Sequence, residues 1–284
     1  MSTEYHHRPG DHCGSASLRN LAGYYEWGFD EPACFGLGAG IGFSYDTSGP
    51  ASRMIMGRNA HLEAVFFDNL GIQSVHEDGQ SRNAAWNALT NRLRSGPVLC
   101  FVDLYYLPYF GSDTHFGPHT VVVTDADGDA VTVSDSEFSE PQLVSHDAFD
   151  AAWSSEYGLG PLDRRWLAVN DPQPTGTAAD ATREAVELAA ETMLHGGKGF
   201  GGGGVGAIRS FANDLPAWNT FDDVQWTARF AYQNIERRGT GGGAFRRLYA
   251  DFLDTLGTDA GLDPRFGERM HRIADDWTTL GDIL

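Results

Sequence analysis

The stretch GDHCGSASLRNLAGYY, residues 10–25, decides how this chain is read. Its apolar positions Leu18, Leu21, Ala22 and Tyr25 recur at i, i+3, i+4 and i+7, the spacing of one helical face. Cys13 then falls close to the start of that helix. A helix N-terminus together with a nearby imidazolium lowers a thiol pKa from ~8.5 to between ~3.5 and ~7.5, because both stabilise the thiolate. Two readings of Cys13 stand at this point: a nucleophile, or a small residue at a helix start.

A nucleophilic thiol needs an imidazole, and His119 in GPHTVVV is the best placed, because it opens a strand that can hold a ring rigidly. The run HTVVVTDADGDAVTVSDS, residues 119–136, reads as a hairpin with an Asp-Gly turn between two valine-rich arms. Asp135 closes the second arm, where a neighbouring strand can bring its carboxylate to the His119 ring. His12 is the rival base, although adjacent residues on a helix do not face each other. Each group also has a structural reading, His119 as a core histidine and Asp135 as a turn residue. Asp113, His115 and His119 offer metal ligands, but no second cluster completes a site, and no metal is expected. DADGD lacks the further glycine and glutamate of a calcium loop. Cys34 and Cys100 read as inert packing. The order Cys, His, Asp, with the nucleophile on an early helix and its partners on later strands, is that of papain-like cysteine enzymes.

Further along, NAHLEAVFFDNLG and SRNAAWNALTNRLRSG read as helices closed by Gly71 and Gly96. CFGLGAGIGFSY is too rich in glycine for a helix and is expected to form a strand and loop where backbones approach closely. VLCFVDLYYL reads as an apolar strand ending at Asp103. A linker-like stretch, NDPQPTGTAAD, introduces a region whose patterns are helical to Leu284. The expected fold class is α+β followed by all-α, with domains at 1–170 and 171–284. Two glycine runs there, GGKGFGGGG at 196–204 and GTGGG at 239–243, precede helices, and so read either as flexible links or as anion cradles, the first with Lys198 beside it.

The formal net charge is −19, and Lys198 is the only lysine among 20 basic residues. Such a surface repels nucleic-acid phosphates and anionic lipid, which argues against either as a partner. It suits a high-salt cytoplasm, where a Debye length of ~3 Å or less screens the self-repulsion. Three cysteines make no disulfide framework, and neither a signal segment nor eighteen consecutive apolar residues occur, so a reduced, cytoplasmic protein is expected.

Taken in order, DHCGSASLRNL, CFGLGAGIGFSY, GRNAHLEAVFFDNLG, VDLYYLPY and GPHTVVV resemble the N-terminal domain of the butirosin-biosynthesis protein H family. IERRGTGGGAFRRLYADFL resembles the helical domain that usually follows it. The resemblance implies a papain-like domain used for acyl transfer: an acyl or aminoacyl group passes from a phosphopantetheine carrier-protein thioester, as co-substrate, through a cysteine acyl-enzyme to a small-molecule amine; the acidic charge of this chain, which repels an acidic carrier, makes a coenzyme A thioester the other expected donor. It implies Cys13 as nucleophile, His119 as base and Asp135 as orienter. The Cys13 backbone N–H would supply one oxyanion donor, and His7 stands nearest to where such enzymes place a glutamine as the second. Asp103 is a candidate for holding a substrate ammonium or for capping its strand, and Arg246 for a pantetheine phosphate or an ion pair with Glu236. An acyl carrier protein is a candidate partner, and self-association is left open. A cysteine hydrolase (peptidase or amidase) using water as acceptor, and a non-catalytic binding protein on the same fold, remain as alternatives.

Overall fold

In a computed structural model, which describes residues 4–49, 51–196 and 203–284, the opening stretch folds into helix α1, Cys13–Tyr24, with Cys13 as its first residue. Beside two short 3-10 helices, Leu104–Tyr106 and Leu215–Thr220, the remaining elements are α2 (Glu31–Leu37), β1 (Ile41–Asp46), β2 (Met54–Arg58), α3 (Leu62–Leu70), β3 (Gln73–Glu77), α4 (Arg82–Leu93), β4 (Val98–Val102), β5 (His119–Asp127), β6 (Ala130–Ser134), β7 (Gln142–Ser145), α5 (His146–Trp153), β8 (Trp166–Asp171), α6 (Ala178–His195), α7 (Gly204–Asp214), α8 (Val224–Glu236), α9 (Arg246–Leu256) and α10 (Arg265–Ile283).

Contacts divide the chain into two units: Met1–Asp30 with Ile72–Pro174, and Glu31–Gly71 with Thr175–Leu284. Residues 31–71 pack with the C-terminal helices in the second unit, a division that the expected domains at 1–170 and 171–284 do not contain. The reason is the glycines of CFGLGAGIGFSY. Part of that stretch is helical, against the expectation of strand and loop: α2 runs through Leu37 before β1 begins. A Cβ on Gly36 would lie 1.9 Å from the Phe252 ring, so only glycine lets α2 meet α9 at that distance.

The first unit is built on an antiparallel sheet of order β3-β8-β4-β5-β6-β7. Strand β4 is buried at every position, which explains why VLCFV is a continuous apolar run with no alternation. Cys100 and Val102 pack with Val121, Val123, Val131 and Val133 beneath Leu89 of α4 and Phe149 and Trp153 of α5. The hairpin forms as the valine arms require, with Val123 opposite Val133 and Asp127 opposite Ala130; Gly128 takes φ 58° in the two-residue turn. Helix α1 packs against β5, and Arg19 and Asn20 reach back to the carbonyls of Arg8 and Pro9, fixing the segment that enters the helix.

In the second unit, β1 and β2 pair antiparallel, and Phe43 and Ile55 join Phe211, Trp218, Ile235 and Trp277 in one core. Helix α3 ends on Gly71 at φ 62°, as the sequence implies, whereas α4 in the first unit stops at Leu93, before Gly96 is reached. Among the described residues no helix is long and apolar enough to cross a membrane.

Candidate active site

Cys13, His119 and Asp135 come together. Strand β5 opens with His119, paired to Val102 of β4, and Asp135 follows directly on β6. His119 Nε2 lies 2.9 Å from Asp135 Oδ2, and the ring hydrogen-bonds the Cys13 side chain. One imidazole thus contacts both the thiol and the carboxylate. Both His119 and Asp135 are buried, while Cys13 is partly accessible.

Electrostatics follow from that burial. Removing the ring from water disfavours its charged form, but the Asp135 carboxylate, its hydrogen bond and the Cys13 contact outweigh this and raise His119 to about 10. Burial likewise pushes Asp135 up, and the His119 charge and hydrogen bond, with a Glu137 N–H and the Tyr109 hydroxyl, bring it below the usual carboxylate range. The site therefore favours an imidazolium at neutral pH beside a thiol at a helix start. Cys100 has the opposite environment: complete burial pushes its thiol well above the ordinary value, and Cys34 is also fully buried, as expected of packing residues.

Other expected site residues have different tasks. His7 was the expected second oxyanion donor, but its Nδ1 lies 2.7 Å from Ser134 Oγ and its Nε2 2.9 Å from the Phe138 carbonyl, so both ring nitrogens serve the fold. His12, the rival base, caps α1 by accepting the Ser15 N–H at Nδ1. Asp103 is wholly buried and accepts from the Tyr105 and Phe116 N–H groups, the Ser155 hydroxyl and His115 Nδ1. Four donors from its own chain occupy it, which makes it a cap for the strand end and corrects the ammonium assignment. With His115 on Asp103 and His119 on Asp135, the three groups considered as metal ligands do not share one centre.

The second unit corrects two further expectations. Arg246 forms no ion pair with Glu236; Nη1 donates to the carbonyls of Gly57 and Ala244, and Nη2 to that of Gly42. Burial lowers its pKa to about 9, still charged at neutrality. Glu236 instead accepts the Gly243 N–H and the Thr278 hydroxyl, so the GTGGG turn already holds an anion, the chain's own. Lys198, with most of its glycine run, lies outside the described residues.

Two contributors had no signal in the sequence. Tyr109 donates its hydroxyl to Asp135 Oδ2 at 2.9 Å, and the Phe110 ring stands edge-on to His119 with centroids 5.5 Å apart. Both lie on the connection between β4 and β5, where aromatic residues follow no period that would show their direction.

A family model described as butirosin biosynthesis protein H, N-terminal, matches residues 12–136, and one described as a domain of unknown function, DUF4872, matches residues 147–284. A solved structure described as a C39-like peptidase from Bacillus anthracis aligns at 15% identity and a TM-score of 0.42, covering 59% of this chain and 94% of that one. No curated protein matches the chain.

Proposed function

We propose that this chain, whose residues 12–136 match the butirosin biosynthesis protein H N-terminal model and whose residues 147–284 match DUF4872, is a papain-like thiol acyltransferase taking an acyl or aminoacyl group from a thioester to an amine. The observation that carries the reading is the buried Asp135–His119 pair touching Cys13 at the start of α1.

In the first half-reaction the Cys13 thiolate attacks the thioester carbonyl, a bond forms from Cys13 sulfur to carbon, and negative charge develops on the carbonyl oxygen. The N-terminal end of α1 lies where its dipole opposes that charge. Collapse breaks the bond to the pantetheine sulfur, which leaves as a thiol with the His119 proton. His119 is then neutral, and because the acylated sulfur carries no charge the ring is not driven to take a proton back from solvent and is available as a base. In the second half, His119 takes a proton from the amine as nitrogen attacks, and the Cys13 thiolate departs with the amide formed. Asp135 holds the ring throughout. A coenzyme A thioester or an acyl carrier protein is the donor; an acidic carrier would meet this acidic chain only under strong screening.

The same three residues would serve a hydrolase if water replaced the amine, and the two reactions part at the acyl-enzyme. The test is intact-mass spectrometry in molar KCl with a pool of acyl thioesters, followed by a panel of amines. An adduct on the wild type and none on Cys13→Ala, discharged faster by an amine, is the expected result. An adduct released at a rate indifferent to every amine would assign a hydrolase, and no adduct with any thioester would remove the catalytic reading.

A further inference from the structure

The second unit contains a cavity of about 460 Å³, within the usual range for small-molecule sites. Its walls are apolar, with Val186 and Met193 from α6, Ile208 from α7, and Met270 and Trp277 from α10 among them. None of the lining residues is acidic, and two are arginines: exposed Arg269 and Arg246, which is 2% exposed. In a chain with 39 acidic residues, this lining stands out as cationic.

Arg246 is the informative group. A guanidinium has five N–H donors, and its hydrogen bonds to carbonyls are three, two from Nη1 and one from Nη2. The Nε–H and one Nη2 hydrogen are left over as donors, and a carboxylate is the acceptor that charged guanidinium donors bind most strongly. Neither Arg246 nor Arg269 has a carboxylate within ion-pair distance among the described residues. A buried cation held by carbonyl dipoles and by the faces of the Phe43 and Trp277 rings, with no carboxylate beside it, leaves a positive potential in an apolar space. At roughly 30 Å³ per heavy atom, the space takes on the order of fifteen such atoms.

From the uncommitted Arg246 donors and the acid-free apolar lining we infer that this cavity binds a medium-chain carboxylate, its chain along the α6, α7 and α10 walls and its head on Arg246. This inference does not rest on the chemistry proposed for Cys13.

Isothermal titration of the full chain with decanoate and decanol, in molar KCl, tests it. Decanoate is expected to bind at one site, at least tenfold more tightly than decanol, because only the acid has a charge for Arg246 to read. Arg246→Met should erase that difference. Since that change also strips three carbonyls of their donor and can unfold the unit, Ala190→Trp provides the second variant: Ala190 is exposed at the cavity lining, and an indole there should weaken decanoate binding at least tenfold with the melting temperature unchanged. Equal affinity for decanoate and decanol, no binding of decanoate, or undiminished binding by folded Ala190→Trp would each overturn the inference.

Discussion

Replacing Asp135 by Asn removes the charge that supports His119 while keeping the size of the side chain; its one oxygen can accept the Glu137 N–H at the Oδ1 place, and an NH2 then stands at the Oδ2 place beside Tyr109 and His119. The ring is raised from 6.5 to about 10 against the cost of burial, a difference worth on the order of 5 kcal/mol at ~1.4 kcal/mol per pH unit. That support comes from Asp135 first and Cys13 second, so most of it should vanish in Asp135→Asn. The linkage sign follows: a histidine with a raised folded pKa contributes stability that is fully present below about 6.5 and is lost as pH climbs toward about 10. Wild type should therefore lose a few kcal/mol over that window, and Asp135→Asn should show a flatter profile in urea titrations between pH 6 and 10. The thiol reports the same change. Iodoacetamide alkylation of Cys13, followed by peptide mass spectrometry, should in wild type have its midpoint below the ~8.5 of a free thiol. In Asp135→Asn the midpoint should rise by at least one unit, and the rate at pH 6 should fall at least tenfold. If the folded variant alkylates with the wild-type pH profile, Asp135 does not set the charge of the pair and the electrostatic account of the site fails.

Asp103→Ala strands four donors, so it should cost at least ~2 kcal/mol by urea denaturation, while Asp103→Asn, if folded, should leave the KM for the amine acceptor unchanged; a raised KM would return Asp103 to the substrate. Gly36→Ala forces a methyl against the Phe252 ring and should lower stability by ~1–3 kcal/mol or more, with thermal melting as the measure. Raising KCl from 0.1 M to molar levels should raise the melting temperature through screening of the −19 net charge, and a melting temperature that falls would contradict the high-salt reading.

Helix α1, the β5–β6 hairpin and the five C-terminal helices were legible because each is encoded by a period or turn confined to a short window. Cys13, His119 and Asp135 were legible for the same reason, each lying at the end of such an element. What a side chain meets across the fold was not. His7 and Asp103 stood where a catalytic or binding group would stand, and tertiary contacts gave them to Ser134, Phe138, Ser155 and His115. The sequence alone determined the segments with a clear period or turn, such as α1 and the β5–β6 hairpin, and which residue types their ends present, but not that Glu31–Leu37 is helical. Only the tertiary structure decided that residues 31–71 join the C-terminal helices, that Tyr109 reaches Asp135, and that Arg246 is buried among carbonyls with donors to spare. Hydrogen bonding and close packing between distant segments depend on three-dimensional proximity, which no local pattern carries.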